Sequence, residues 1–206
     1  MRSNRWSKFR VIVGTAAILI TFASSTGFAL EREGNLTLYI LLDRSLSMEQ
    51  EIEEVKGYVN SELIGDILIP GDTVVLVEFF RHARLVLTEE IGSEADKRNI
   101  ISRIREIRAN KAYTDIGSAL DYMYEEAMDG GSRTERSHTL LLSDLIQEAP
   151  TTSPYAGTTR NFSHPLLVPR KETERKGWKI CIIGPGIDER AERIAREVVS
   201  VRRTAD

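Results

Sequence analysis

Residues 35–48, "NLTLYILLDRSLSM", decide the fold of this 206-residue chain. The first nine form a short, nearly continuous apolar run, which is typical of a strand buried on both faces. The run ends at Asp43, and Ser45 and Ser47 follow at alternate positions, so three oxygen-bearing side chains leave one strand end. Such a strand end is either a simple polar turn or part of a site, and other segments of the chain decide between the two.

Strands and helices alternate along the rest of the chain, which predicts an α/β three-layer sandwich around a mostly parallel, doubly wound sheet. Apolar residues at helical spacing predict three helices between the strands and a fourth, "DERAERIAREVVSV", at the end of the chain. The helical stripes are Ile52, Val55, Val59 and Leu63; Ile100, Ile104 and Ile107; and Ile116, Leu120, Met123 and Ala127. The predicted strands are 35–43, 72–80, 85–91 as the second arm of a hairpin, 138–144 and 177–186.

Polar side chains follow two of these strands and one loop. Asp43 ends the first strand, Asp144 ends "HTLLLSD" (138–144), and Thr114 lies in the loop "ANKAYTD" before the third helix. In open α/β sheets, ligands bind beyond the carboxyl ends of the strands. If the first and fourth strands are neighbours, one rim of the sheet gathers five oxygen donors: Asp43, Ser45, Ser47, Thr114 and Asp144.

The donor set predicts the kind of metal. All five side chains offer hard oxygens and none is His or Cys, so Mg²⁺ is favoured, with Mn²⁺ or Ca²⁺ as alternatives, over zinc or copper. Three of the donors are uncharged hydroxyls, which leave the charge of a divalent cation only partly neutralised. The cation would therefore still attract a carboxylate from outside the domain. This predicts a coordination position for an Asp or Glu of a protein partner.

The pattern "DRSLS", a Thr before "DIGSAL", and "LLLSD" is similar to the metal-ion-dependent adhesion site of von Willebrand factor type A domains. The resemblance covers roughly residues 35–200. It implies that Ser45, Ser47 and Thr114 contact the metal directly, and that Asp43 and Asp144 act largely through water. It also implies one antiparallel edge strand, "LVLTEEI". Two positions depart from the family's pattern, because leucine stands at 46 and 145, where glycine is common.

The first 29 residues have the pattern of a secretory signal peptide. A basic start precedes 13 apolar residues, "VIVGTAAILITFA", and small residues follow up to Ala29. Cleavage there leaves 30–206 as one von Willebrand factor type A-like domain, periplasmic or secreted. The alternative is an uncleaved N-terminal anchor, and only then would the protein contact a membrane. The apolar stretch is short for that role, since a membrane-spanning helix needs about 20 residues.

Removal of this segment leaves 24 basic and 31 acidic residues, a net charge of −7. That balance argues against nucleic acid as a partner, because phosphate binding depends on basic surface.

The leading functional prediction is an exported binding module, not an enzyme, that engages an acidic side chain of a protein partner through the bound cation. A metal-dependent hydrolase is one alternative, with Asp43 as nucleophile. The second Asp that usually stands two residues after such a nucleophile is replaced by Ser45. His82, His138 and His164 are scattered, and no catalytic residue is predicted. The other alternative is a scaffold that keeps the fold without metal-dependent binding.

Residues 149–176 contain four prolines and no clear periodicity. A structureless loop of this length is unusual inside a compact domain. It is predicted either to lie close to the metal and help to select the partner, or to pack against the side of the domain.

Overall fold

The elements follow the predicted alternation within the residues that the computed structural model describes, 34–129, 137–160, 163–167 and 179–183. The strands of these ranges are β1 (Thr37–Asp43), β2 (Thr73–Phe79), β3 (Ala83–Glu90), β4 (Ser137–Leu142), β5 (Gln147–Ala149), β6 (Gly157–Thr159) and β7 (Lys179–Ile183). Their α-helices are α1 (Ile52–Tyr58), α2 (Glu94–Glu106) and α3 (Ile116–Asp129). The predicted signal peptide, 1–29, and the predicted last helix, 188–201, lie outside the described residues.

Five strands form the main sheet, in the order β3-β2-β1-β4-β7. The neighbouring pairs β2–β1, β1–β4 and β4–β7 are parallel, and β2–β3 is antiparallel. β1 thus lies between β2 and β4. The prediction that Asp43 and Asp144 share one rim of the sheet required β1 and β4 to be neighbours. The fold class is confirmed: a mostly parallel α/β sheet with one antiparallel edge strand.

Side chains of β1 alternate between two cores, one on each face of the sheet. Leu38, Ile40 and Leu42 pack with the buried faces of α1 and α2. Tyr39 and Leu41 point to the opposite face, where they pack with α3. Because successive strand residues point to opposite faces, a strand that is apolar at almost every position must be covered on both sides. The helices on the two faces complete the predicted three layers.

The predicted helical stripes are buried except at the partly buried Ala127, and the first helix is not α-helical throughout. α1 ends at Tyr58, and the chain continues as a π-helix over Val59–Ile67. The buried Lys56 of α1 donates hydrogen bonds to the carbonyl oxygens of Arg105 (3.2 Å) and Ile107 (2.9 Å) at the end of α2. A lysine at this point satisfies carbonyls that a helix leaves without partners at its C-terminus.

The segment after β4 contains a hairpin that the sequence did not predict. β5 and β6 pair in antiparallel fashion, and Pro165–Leu167 form a 3₁₀ turn. β5 and β6 have three residues each, too few to show a strand periodicity. Among the described residues, no helix combines the length and the apolar character needed to cross a membrane.

Candidate metal site

Asp43 and Asp144 lie at the same edge of the sheet, because β1 and β4 are parallel neighbours whose chains leave the sheet there. Asp43 is the last residue of β1, and Asp144 follows β4 by two residues. Burial raises the pKa of Asp43 to about 6, against the lowering effect of its hydrogen bonds to Ser143 and Ser45, and the charge of Asp144 adds to the rise. The two carboxylates therefore share one electrostatic environment.

Asp43 is fully buried and both of its oxygens accept hydrogen bonds. Oδ1 accepts from the backbone N–H of Ser45 (2.8 Å), and Oδ2 accepts from the hydroxyl of Ser143 (2.7 Å). Ser143 Oγ in turn accepts from the N–H of Leu145 (3.1 Å), so one chain of hydrogen bonds links the ends of β1 and β4. An Asp engaged on both oxygens suits an indirect role beside a metal better than a direct one. The sequence analysis missed Ser143, although a serine directly before Asp144 at a strand end was a usable signal.

Ser45 and Ser47 bring their hydroxyls together at the rim. A 3₁₀ turn over Leu46–Met48 follows Ser45, and the buried Met48 anchors it in the core. The two hydroxyls are hydrogen-bonded to each other, with their Oγ atoms 2.9 Å apart. Two ligands at right angles around Mg²⁺, each about 2.0–2.1 Å from the ion, would be about 2.9 Å apart. The serine pair is thus spaced as two neighbouring ligands of an octahedral cation. Ser47 does not cap α1, whose N-cap position is Glu51.

The loop that carries Thr114 is attached to both of the other segments. Leu46 N–H donates to the carbonyl oxygen of Lys111 (2.9 Å) in the bridge between Ser45 and Lys111. Thr114 and Glu148 exchange backbone hydrogen bonds of 2.8 Å in each direction. Thr114 is buried, and backbone pairing places its loop between the Ser45 segment and the segment after Asp144.

Arg44, between Asp43 and Ser45, fixes the distance between the first segment and the Thr114 loop. Its guanidinium donates to Glu78 Oε1 (2.7 Å), to the carbonyl oxygen of Arg108 (3.2 Å) and to Asn110 Oδ1 (3.4 Å). Its own carbonyl oxygen accepts from the N–H groups of Asn110 and Lys111, both at 3.1 Å. This role could not be predicted, since Arg44 stands at an unspecified position of the Asp-x-Ser-x-Ser pattern.

Asp115 and Gln147 hold the start of α3, where Asp115 caps the helix. Asp115 accepts hydrogen bonds from the N–H (3.1 Å) and the hydroxyl (2.8 Å) of Ser118. The buried Gln147 accepts from the N–H of Ile116 (2.8 Å) and donates to Asp115 (3.2 Å). Sequence reasoning missed Gln147 because a single glutamine after a strand carries no pattern.

The residues at the rim fit a hard divalent cation. Glu51 also interacts electrostatically with the site. Burial, and after it the charge of Asp144, raises the pKa of Glu51. The charge of Asp144 contributes to the raised pKa of both Asp43 and Glu51, and a cation at the rim would relieve this repulsion. Among the described residues, no cluster of three or more His, Cys, Asp or Glu side chains is arranged to hold a metal. A metal at this rim would therefore depend on the hydroxyls of Ser45, Ser47 and Thr114.

Two residues next to predicted ligands have backbone angles that favour glycine. Leu145 follows Asp144 with φ +63°, and Tyr113 precedes Thr114 with φ +74°. A β-carbon in this left-handed region costs about 1–2 kcal/mol. The observed φ gives a physical reason why glycine suits the position after Asp144. Here the side chain of Leu145 packs against the core that contains α3.

The described part of 149–176 packs against α3. The ring of Tyr155 lies over Gly117, and its hydroxyl donates to Asp121 (2.7 Å) and is 3.1 Å from Nε2 of the buried His164. The start of this segment adjoins the Thr114–Glu148 pair. The prediction that the segment packs on the domain is confirmed for these residues, and its role in selecting a partner stays a prediction.

Comparison with known proteins identifies the family. The sequence model of the von Willebrand factor type A domain matches residues 38–147, which is more than half of the chain and includes all five predicted ligands. The chain therefore belongs to the von Willebrand factor type A family.

The chain is also 29% identical over 170 residues to an uncharacterized protein of Treponema pallidum (strain Nichols), covering 82% of this chain and 76% of that one.

Solved structures of this fold are similar at low sequence identity. A von Willebrand factor type A protein from Catenulispora acidiphila superposes with a TM-score of 0.54 at 18% identity, covering 80% of this chain and 42% of that one. An aerotolerance-related membrane protein from Bacteroides fragilis gives a TM-score of 0.50 at 18% identity, covering 72% and 67%. This chain thus spans less than half of the Catenulispora chain. These likenesses support the fold alone.

Proposed function

We propose that this domain is an exported binding module that grips an acidic side chain of a protein partner through a divalent cation, most simply Mg²⁺. The observation that carries the proposal is the pair of serine hydroxyls, 2.9 Å apart at the rim of the sheet. Ser45, Ser47 and Thr114 would hold the cation, with Asp43 and Asp144 behind them. The cation would supply a positive coordination position for a carboxylate that the domain itself does not provide.

The arrangement of charge supports a binding role. The inner donors are neutral, and Asp43 is occupied by hydrogen bonds from Ser45 and Ser143. The cation would keep most of its charge for an external ligand. The same occupancy of Asp43 disfavours the hydrolase alternative, because a nucleophilic carboxylate needs an oxygen free to attack. We therefore propose that the domain binds rather than catalyses.

The first prediction concerns the cation. Mg²⁺ should raise the melting temperature of residues 30–206, because a ligand that binds only the folded state stabilises it by mass action. At a concentration 100 times the dissociation constant, the gain is about 2.7 kcal/mol. The double variant Ser45→Ala/Ser47→Ala should keep the fold and lose the shift. Differential scanning fluorimetry with and without a chelator measures it.

The matched control is Ser61→Ala/Ser102→Ala, which removes two hydroxyls from exposed positions on other helices. It should retain the full magnesium shift. If the Ser45/Ser47 double variant kept the shift as well, the cation would not lie at the serines and the site assignment would be wrong. If no divalent cation shifted the wild-type domain, the scaffold alternative would replace the binding module.

A further inference from the structure

Basic and aromatic side chains alternate on a surface beside the candidate metal site. The Arg81 guanidinium lies 5.0 Å from the centre of the Tyr113 ring, and Lys111 Nζ lies 6.0 Å from the centre of the Phe80 ring. The ring of His82 is 4.9 Å from that of Phe80. These five residues, Phe80, Arg81, His82, Lys111 and Tyr113, are called the basic ledge below.

The basic ledge is attached to the site by its backbone. The carbonyl oxygen of Lys111 accepts from the N–H of Leu46, between the two serines, and that of Phe80 accepts from the N–H of Asp115 (2.6 Å), next to Thr114. β2 is parallel to β1, and Phe79 lies opposite Asp43, so the chain enters the ledge at the rim where the predicted ligands lie. The ledge therefore borders the site rather than occupying a separate face.

Arg81 and Lys111 are the two cations that give the ledge its positive charge. Among the described residues, neither Arg81 nor Lys111 is in an ion pair, whereas Arg44 and Arg84 share Glu78 and Lys56 pairs with Glu53. Arg81 and His82 are exposed, and Lys111 and Tyr113 are partly exposed. Aromatic rings beneath the cations hold their positions without cancelling their charge. Unpaired positive charge at this place is notable in a domain whose net charge is −7.

The backbone of one ledge residue, Tyr113, is held in an unfavourable conformation. Tyr113 has φ +74°, a left-handed angle that is rare for a bulky residue and concentrates at binding and catalytic sites. This angle carries the Tyr113 ring under Arg81 while Thr114 continues into the site. A glycine would remove the strain but also the ring that supports the Arg81 guanidinium.

We propose that the basic ledge binds acidic residues that flank the carboxylate taken by the cation, so that the partner presents a run of acidic residues rather than an isolated Asp or Glu. This inference rests on the proposed function and adds the chemistry of the partner's neighbouring residues. Charge complementarity supplies the reason, since Arg81 and Lys111 offer two unpaired cations next to the coordination position.

Two fluorescent peptides separate the cation from the ledge. One has the core Glu-Glu-Asp-Glu-Glu, and the other has Gln-Gln-Asp-Gln-Gln, which keeps only the central acid. Fluorescence anisotropy with residues 30–206 is measured in Mg²⁺ and in chelator. We expect both peptides to require Mg²⁺ and the acidic one to bind about three- to tenfold more tightly, the range that two exposed ion pairs supply. The preference should weaken at high salt, which screens exposed charges.

Variants that remove positive charge then test whether Arg81 and Lys111 cause the preference for the more acidic peptide. Arg81→Gln/Lys111→Gln should bind both peptides equally, with the magnesium requirement unchanged. The control Arg98→Gln/Arg105→Gln removes the same charge from exposed positions of α2 and should keep the preference. A preference that survives in the Arg81/Lys111 variant, or that falls equally in the control, overturns the ledge proposal. Equal binding of the two peptides by the wild-type domain also overturns it, while leaving the cation proposal intact. Failure of both peptides to bind in Mg²⁺ contradicts the proposed function and the ledge with it.

Discussion

At the residue scale, Arg44 shows how a position inside a motif can matter without being a ligand. Its side chain and carbonyl make five hydrogen bonds, and four of them reach residues 108–111, which lead to Thr114. The fifth hydrogen bond of Arg44, to Glu78, holds the guanidinium against β2. The relative position of the serines and Thr114 therefore depends on a planar group that can donate in several directions at once.

Replacing Arg44 with lysine should weaken magnesium binding. Lysine keeps the charge but donates from a single point, so it cannot reach Glu78, the Arg108 carbonyl and Asn110 together. Loss of one or two such hydrogen bonds, at about 1–1.5 kcal/mol each, predicts an affinity about five- to tenfold or more lower. Titration of the melting temperature with Mg²⁺ measures this change.

Arg84→Lys is the matched control for Arg44→Lys. Arg84 also donates to Glu78 Oε1, at 3.0 and 2.5 Å, but its side chain is 69% exposed, and none of its observed hydrogen bonds reaches the Thr114 loop. Its replacement should leave the magnesium affinity within about twofold of wild type, as expected for an exposed ion pair. Equal weakening in the two variants would show that the charge balance at Glu78, and not the link to Thr114, governs the site.

At the scale of elements, the sequence predicted the parts of the fold that have a clear apolar pattern. β1, β2 and β4 were readable as short continuous apolar runs, and the stripes of α1 to α3 were readable because apolar residues recur every third to fourth residue. The change from α-helix to π-helix after Tyr58 was not readable, since the same residues stay buried in both forms. The five candidate ligands were found by residue type and order. The hydrogen bonds of Arg44 and Gln147 depend on tertiary contacts that no local pattern encodes, whereas the place of Ser143, directly before Asp144 at a strand end, was a signal that the sequence offered.

The β5–β6 hairpin depends on one close approach to α3. A β-carbon added to Gly117 would lie 2.3 Å from ring atoms of Tyr155, so only glycine admits the ring there. Gly117→Ala should therefore displace Tyr155 and loosen its hydrogen bond to Asp121. We expect faster amide hydrogen exchange across 147–160 and a lower melting temperature, even though alanine favours helix by about 1 kcal/mol.

Gly57→Ala in α1 controls for that helix preference. A β-carbon at Gly57 would meet no atom within 4 Å, and its φ is not left-handed. This variant should be neutral or slightly stabilising, with unchanged exchange in 147–160. If Gly117→Ala behaved in the same way, the hairpin would not depend on Tyr155 at this helix. If Gly117→Ala loosened the hairpin and left peptide binding unchanged, the segment would not help to select the partner.

At the scale of the whole molecule, the net charge of the domain bears on the proposed function. The domain without residues 1–29 is acidic, with a net charge of −7, so its bulk charge repels an acidic partner. Binding would therefore need a region of positive charge on the otherwise acidic surface, which the cation and the basic ledge would supply together at one rim. The proposed export would place this rim outside the cell membrane, and it depends on the N-terminal segment acting as a signal peptide.

Residues 1–29 should be absent from the protein isolated from its native compartment. The apolar stretch of 13 residues is short for a membrane span, and Gly27 and Ala29 provide the small residues that a signal peptidase requires. Intact-mass spectrometry should therefore find a chain that begins at Leu30. Gly27→Arg/Ala29→Arg should block cleavage and retain the segment, whereas Gly27→Ala/Ala29→Ser keeps small side chains and should be processed normally. A native protein that still begins at Met1 would favour the membrane anchor over the cleaved signal peptide.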